Sequence, residues 1–349
     1  MVSVIIPAYN ASRTIEQSVS CVVTQSYKDI EIIIINDGST DKTLEICNRI
    51  AEQDSRVIVI SQSQSGPGEA RNKGLDAARG EYVYFMDADD TIDEDLINTC
   101  VEKMELNKLD LLMFGIALVN DKCDVIETIA FEPLWAVKKE ELSKAYIPCF
   151  LKPKHGNGFL FNKLYRRSVI EQNAIRFSRY NIMEDELFNI EYYKHVERLQ
   201  VIEDVLYFYY WNNATSIRTR HNPTYLETLR AVHVSFMSLK SSLSIDDDEF
   251  DDIVNRRTWN GLFGYLSYRL INSYPKLNST QIKERFLELA SNQIFRSVNR
   301  YQYEKKAMRT IEMPFYYSIE KKDSRLYMFV SSVYNKLMPL RRIKRFFNH

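Results

Sequence analysis

The 349-residue chain contains no CxxC pair, and its five cysteines, Cys21, Cys47, Cys100, Cys123 and Cys149, are scattered along it. An odd number at irregular spacing excludes a disulfide framework and the paired spacing of zinc sites, and fits reduced thiols. Cys21 and Cys47 fall on apolar helix faces, which makes them core residues. No apolar run is long enough to span a bilayer. The first residues carry neither a basic region nor a cleavage pattern, so we expect a cytosolic protein. A net charge of -1 argues against nucleic acid as the partner. The chain also lacks internal repeats and low-complexity tracts.

What is present is an ordinary globular composition, 45% hydrophobic and 27% charged, with enough apolar material for a sizeable core. The length suggests two domains, or one large domain with an appendage. Four short strand-like runs alternate with helical patterns in the first half: Val2 to Pro7, Glu31 to Ile35, Val57 to Ile60 and Glu81 to Met86. The run Ile32-Ile33-Ile34-Ile35 does not alternate, as suits a strand buried on both faces of a parallel sheet.

Between these runs lie amphipathic stretches, with Ile15, Val19, Val22 and Val23 on one apolar face and Leu44, Cys47, Ile50 and Ala51 on another. Ser39 or Thr40 is the expected cap of the second helix, with Asp41 near its positive end. Such alternation predicts right-handed crossovers and an open α/β sheet. Further strands are expected at Asp110 to Gly115 and Val205 to Tyr210, and a helix at Glu184 to His195. The acidic run Asp246 to Asp252 reads as a solvated loop, and the chain from Thr224 onward as mainly helical.

Ligands of open α/β sheets bind outside the carboxyl ends of the strands. The residues there are Pro7-Ala8-Tyr9-Asn10, Asn36-Asp37-Gly38-Ser39-Thr40-Asp41, Gly66-Pro67-Gly68 followed by Ala70-Arg71-Asn72, and Asp87-Ala88-Asp89-Asp90. Two carboxylates one residue apart at a strand end can hold a ribose hydroxyl and a hard cation. Mg²⁺ or Mn²⁺ takes oxygen ligands and binds through one or two carboxylates plus substrate phosphates. Asp37 follows a buried strand, where an unpaired carboxylate is costly; it either caps the next turn or reads a base edge such as that of uracil. Tyr9 either stacks on that base or packs as an interfacial aromatic. Arg71 either binds phosphate or base, or pairs with a carboxylate on its own helix.

In order and spacing Val2 to Asn10, Asn36 to Asp41, Ala70-Arg71-Asn72-Lys73-Gly74 and Asp87-Ala88-Asp89-Asp90 resemble the motifs of glycosyltransferase family 2, strongly over about residues 1–115 and more weakly over about 155–220. The resemblance implies a GT-A fold: an open, mostly parallel sheet flanked by helices, here followed by a mainly helical C-terminal region. It implies a catalytic domain at 1–220, with a nucleotide-binding half at about 1–115 and an acceptor half at about 116–220, and a helical region at 221–349. It also implies a UDP-sugar donor, inversion at the anomeric carbon, donor contacts at Pro7, Ala8, Tyr9, Asp37, Arg71, Asp87 and Ala88, and a divalent metal, Mn²⁺ or Mg²⁺, on Asp89.

Met183-Glu184-Asp185-Glu186 resembles the family's Glu-Asp element at a helix start, with Asp185 as general base and Glu184 as the fallback or an acceptor-orienting group. The bland reading is helix N-terminal acids favouring the macrodipole. Asn162 to Arg167 resembles a segment near the acceptor cleft, with Phe161 where tryptophan is common in relatives. The stretch Trp211 to His221 resembles a segment that folds over the donor diphosphate, so that Ser216 and Arg218, or Arg220, would contact it. Such a lid excludes water and favours transfer over hydrolysis.

The implied acceptor is a glycan or lipid-linked oligosaccharide of a surface polysaccharide. The final thirty residues, Glu320 to His349, hold eight Lys or Arg against two acids, a net +6, with Tyr327, Phe329, Val333, Phe346 and Phe347 interleaved. A basic amphipathic end of this kind either lies peripherally on an anionic membrane surface or packs on protein. Two competing functions are a nucleotidyltransferase and a non-catalytic nucleotide-sugar-binding partner of an assembly complex. Pro7-Ala8-Tyr9-Asn10 lacks the Gly-rich, basic triphosphate loop of the former. The intact Asp37, Asp89 and Asp185 set speaks against the latter.

Overall fold

The computed structural model describes residues 1–120, 124–146, 158–210, 224–272 and 276–337. The chain divides into two compact units, Met1–Ser216 together with Ser238–Ile245, and Ile217–Met237 together with Asp246–His349. Where the sequence suggests one division after residue 220, the stretch Ser238–Ile245 belongs with the first unit.

The first unit opens with three strand–helix pairs: β1 (Val2–Ala8) and α1 (Ile15–Val23), β2 (Ile30–Asp37) and α2 (Thr43–Gln53), β3 (Val57–Gln62) and α3 (Pro67–Ala77). Then follow β4 (Tyr82–Phe85), the two-residue β5 (Thr91–Ile92), α4 (Leu96–Leu106), β6 (Leu111–Val119), β7 (Val125–Ile129), β8 (Leu134–Ala136) and α5 (Lys139–Tyr146). β9 (Lys163–Arg166), α6 (Arg167–Gln172), α7 (Glu184–Tyr193) and β10 (Leu199–Tyr210) complete it.

The sheet order is β3-β2-β1-β4-β9-β6-β10-β5, with β7 also on β6 and β8 also on β10. β1, β2, β3 and β4 run parallel to one another, as do β6 and β10. β9 is antiparallel to both β4 and β6, so all six of those strands point the same way around one reversed insert. The expected open, mostly parallel α/β sheet is therefore present. Every residue of β2 is buried, which is why its isoleucine run needs no alternation. Ile15, Val19 and Val22 of α1 and Cys47 of α2 pack into the same core. Burial pushes the thiols of Cys21 and Cys47 up to about 11, so both are inert at neutral pH.

Two local expectations need correction. α2 begins at Thr43, two residues after Asp41, whose carboxylate accepts from the Thr43 backbone N–H at 3.0 Å and its hydroxyl at 2.5 Å. Ser39 and Thr40 do not cap it; they tie the ends of β1 and β2 together through Asn10. The acidic run is not a loop either. Asp247 is the N-cap of α9 (Asp248–Gly264), accepting from the Glu249 N–H at 2.7 Å, and Phe250 and Val254 on that helix are buried. Acids in a first turn meet the unpaired N–H groups and positive end of a helix, so the run favours a helix start once an apolar face follows.

The second unit is helical, as expected. It comprises the first part of α8 (Tyr225–Ser242), then α9, a π-helical turn at Tyr265–Arg269, α10 (Ser279–Ser291), α11 (Gln293–Glu304), α12 (Met313–Glu320) and α13 (Ser324–Leu337). Its centre is Trp259 of α9, whose indole N–H donates to Glu312 at 2.9 Å while Arg256 pairs with the same carboxylate at 3.2 Å. Tyr327 of α13 stacks on Phe286 of α10, ring centroids 4.5 Å apart.

Candidate active site

The carboxyl ends of β1, β2 and β4 lie side by side because those strands are adjacent and parallel. β1 pairs with β4 only as far as Ile5↔Phe85, whereas its pairing with β2 continues to Ala8↔Asn36. Beyond Ile5 the β4 side of β1 has no ladder pairing, and Pro7, which cannot donate to a ladder, lies in that stretch. Ala8 is buried and Tyr9 is 43% exposed. Asn10, in the left-handed region at φ 50°, carries the bonds from β1 to the Ser39 and Thr40 loop.

Asp37, at the end of β2, is 4% exposed. Its carboxylate accepts from Gln62 Nε2 at 2.8 Å, the Ser65 N–H at 2.8 Å and the Gly66 N–H at 2.9 Å. It thus orders the loop ahead of α3 and not its own turn. A carboxylate offers about four acceptor positions, so three bonds leave one. Gly38 follows at φ 70°, where a Cβ would stand 2.7 Å from the Gln64 backbone nitrogen; only glycine fits that turn.

Arg71 on α3 is buried, and its two terminal nitrogens reach in different directions. One donates to Asp87 Oδ1 at 3.0 Å, beyond β4, and the other to Glu184 Oε1 at 3.1 Å, at the start of α7. Its partners are thus carboxylates of other elements, not one on its own helix. Among the described residues its Nε has no hydrogen-bond partner. The guanidinium lies 5.6 Å from the centroid of the Phe177 ring, which itself stacks on Phe188 at 4.2 Å.

The same helix aligns the approach to α7 in two more ways. The Asn72 amide donates to the Phe177 carbonyl at 3.0 Å and accepts its N–H at 2.8 Å. A Cβ on Gly68 would lie 3.1 Å from the Ser178 carbonyl and 3.4 Å from Glu184 Cγ, so the chains approach as closely as a glycine allows.

Burial, then the charge of Asp185, push the Glu184 carboxyl up to about 7, with Arg71 pulling the other way. Met183, the N-cap of α7, holds the left-handed φ of 54°, a strained conformation for a non-glycine residue. Asp185 is half-buried beside it and accepts from the Glu186 N–H at 2.8 Å.

Beyond β4, burial and then the neighbouring Asp87 raise the Asp89 carboxyl to about 6. Ala88 is buried between them. Asp90 is fully buried, and burial, then Asp89 and Asp87, raise it well above the usual carboxylate range. It accepts from the Tyr207 hydroxyl at 2.5 Å and the Tyr210 N–H at 2.8 Å. Tyr207 in turn stacks on Phe161, centroids 4.2 Å apart.

The structure thus brings Arg71, Asp87 and Glu184 into direct contact, with Asp185 and Asp89 beside the last two in sequence. Ser216, Arg218, Arg220 and His221 lie outside the described residues. Asn72, Asp90 and Tyr207 were not singled out from the sequence as site residues. Asn72 and Asp90 lie within the strand-end motifs without a role of their own there; nothing in the local pattern points to Tyr207. Among the described residues no group of three or more His, Cys, Asp or Glu gathers as a metal site. The Asp87 and Asp89 pair nonetheless offers the oxygen donors that a hard cation takes, and the like charge of Asp87 beside Asp89 is one that a cation would offset.

An open α/β sheet places its ligand site outside the carboxyl ends of its strands, and Asp37 and Asp87 lie there. The family model for Glycosyl transferase family 2 matches residues 3–173. The chain is 31% identical over 234 residues to EpsJ of Bacillus subtilis (strain 168), described as an uncharacterized glycosyltransferase, covering 66% of this chain and 67% of that one. It is 29% identical over 265 residues to the putative glycosyltransferase EpsH of the same organism, covering 72% and 74%. The crystal structure of S. aureus TarS 1-349 in complex with UDP-GlcNAc matches with a TM-score of 0.68 at 22% identity, over 96% of this chain and 91% of that chain; at that identity the likeness is one of fold. The chain belongs to glycosyltransferase family 2 and is a glycosyltransferase with the GT-A fold.

Proposed function

We propose that this enzyme transfers a hexose or N-acetylhexosamine from a UDP-sugar to a glycan or lipid-linked acceptor in surface polysaccharide synthesis, with inversion at the anomeric carbon. The observation that carries this reading is the Arg71 bridge between Asp87 and Glu184. It ties the acidic motif suited to nucleotide and phosphate to the acidic helix start suited to an acceptor. UDP as the nucleotide is supported by the ligand of the TarS structure and by the acceptor position that Asp37 retains for a base N–H.

In this reading Tyr9 stacks on the base, Pro7 and Ala8 form the floor beneath it, Asp87 holds the ribose, and Ala88 lets the nucleotide approach the strand end. Asp89 would hold Mn²⁺ or Mg²⁺ near the diphosphate, and the bound cation would offset charge developing on the departing nucleoside diphosphate. Ser216 and Arg218 supply further diphosphate contacts. Asp185 accepts the proton of the acceptor hydroxyl as its oxygen bonds to the anomeric carbon from the face opposite the leaving group. The bond from that carbon to the diphosphate oxygen breaks in the same step, which inverts the centre. Glu184, its carboxylate paired with Arg71, orients the acceptor while the guanidinium offsets its charge.

Calorimetric titration of the purified protein with UDP, with and without Mn²⁺, tests the donor half of this reading. Binding that needs Mn²⁺ and is lost in Asp89→Ala supports it; equal affinity for UDP and GDP, or indifference to Asp89→Ala, contradicts it.

A further inference from the structure

α13 has two faces of different character. Tyr327 and Ser331 are fully buried, and Tyr334 one turn further packs edge-on against Phe263 and Phe315, with centroids 5.6 Å and 5.8 Å apart. These positions, at i, i+4 and i+7, are the packed stripe of the helix. On the other side Phe329 is 67% exposed and Val333 41% exposed. Four residues before Phe329 stands Arg325, also exposed, and Lys321 and Lys322 are exposed in the turn that leads into the helix. Arg325, Phe329 and Val333 thus form an exposed apolar and cationic face on the side of α13 opposite its packed stripe.

The charge distribution points the same way. The whole chain carries -1, yet its last thirty residues carry eight Lys or Arg against two acids, so residues 1–319 carry -7. The cations are concentrated at one end of the sequence, in a chain that is otherwise acidic, and Lys321, Lys322 and Arg325 are exposed there. Asp323, the acid nearest α13, accepts from the Arg325 and Leu326 N–H groups at 3.0 Å each, so part of its charge serves the helix terminus. Among the described residues no helix is long and apolar enough to cross a membrane, which leaves the interface and not the hydrocarbon core as the place where such a face can act.

We propose that the outer face of α13, Arg325 with Phe329 and Val333, docks the protein on an anionic lipid bilayer, with Phe329 and Val333 entering the headgroup boundary and Lys321, Lys322 and Arg325 meeting lipid phosphates. Each basic side chain near such a surface contributes about 1 kcal/mol, falling off within a Debye length of roughly 10 Å at 0.1 M salt. Insertion of an apolar side chain adds a part that salt does not screen. The surface is independent of the donor chemistry proposed above.

The test is co-sedimentation of the full chain with vesicles of phosphatidylcholine containing phosphatidylglycerol, and with phosphatidylcholine alone. We expect binding to the anionic vesicles at low salt, weakening as salt rises, and little to the neutral ones. Phe329→Ser with Val333→Ser should weaken it by about tenfold while the melting temperature and Mn²⁺-dependent UDP binding stay unchanged, because both side chains are exposed. No sedimentation with anionic vesicles at low salt overturns the proposal, as does equal binding to both lipids. Unaltered binding of the double variant also overturns it. A concentration-dependent dimer that the double variant abolishes, without vesicle binding, assigns the face to a second copy of the chain. Vesicle binding without UDP binding would sink the donor reading and leave the surface standing.

Discussion

Arg71 and Glu184, 113 residues apart in sequence, meet at 3.1 Å in the interior of the first unit. The same guanidinium holds Asp87 at 3.0 Å, so one side chain fixes the distance between the acids after β4 and the acids that begin α7. Neither carboxylate is positioned by its own element alone. The geometry of the site therefore depends on a residue that needs no contact with the reacting atoms.

Removing that bridge should unfold more than it inactivates locally. Arg71→Met leaves Glu184 buried without its counter-charge, and breaking a buried pair from one side costs about 3 kcal/mol or more. A fall in melting temperature of roughly 6–12 °C is expected for a unit of this size, with loss of donor turnover. Arg71→Lys should recover part of the stability and little of the activity, since an ammonium cannot donate to both carboxylates in one fixed plane.

Stability should also depend on pH through Glu184. Its carboxyl is raised from an ordinary 4.5 to about 7 in the folded chain, by burial first and by Asp185 second. Between those values the folded state binds more protons than the unfolded state, so stability falls as pH rises through that window. The contribution is complete below about 4.5 and gone above about 7. Urea midpoints measured across this range should show the decline, and Glu184→Gln should flatten it.

Tyr207→Phe tests the support beneath the acidic motif. It removes the hydroxyl that donates to Asp90 at 2.5 Å and leaves that buried carboxyl with the Tyr210 N–H as its remaining bond of the two. We expect a loss of about 1–3 kcal/mol and weaker Mn²⁺-dependent UDP binding, because Asp89 precedes Asp90 directly. Unchanged UDP affinity in a destabilised variant would limit Tyr207 to a structural role.

Asp247→Ala should destabilise α9 by about 1 kcal/mol through loss of its cap, read as a shift in urea midpoint, with donor turnover unaltered.

The parallel strands were legible because their signals are local. The unbroken Ile32-Ile33-Ile34-Ile35 run and the flanking helical patterns say at once that both faces of β2 are covered. The antiparallel insert was not. β9 has four residues, and it begins with Lys163, which is fully buried because its ammonium donates to the Phe159 carbonyl and to Asn162 Oδ1 at 2.8 Å. A charged residue at that depth breaks the apolar pattern that marks a strand, and its partners are known only once the chain has folded. Arg71 shows the same limit. Its sequence neighbourhood offers an own-helix carboxylate or a phosphate, and the partners it finds, Asp87 and Glu184, lie across the fold. Asp248 to Asp252 failed for another reason: a row of acids reads as solvated until Phe250 and Val254 reveal the buried face of a helix.

The central claim is that Asp185 and Asp89 act on one UDP-sugar. The most direct measurement is nucleotide release from a panel of UDP-, GDP- and dTDP-sugars with Mn²⁺, for the parent chain, Asp185→Asn and Asp89→Ala. We predict slow release from one UDP-sugar, abolished by EDTA, and reduced by about 10²–10⁴-fold in Asp185→Asn, the range for loss of a general base. Release that favours a GDP- or dTDP-sugar, or that survives both substitutions, would contradict the account.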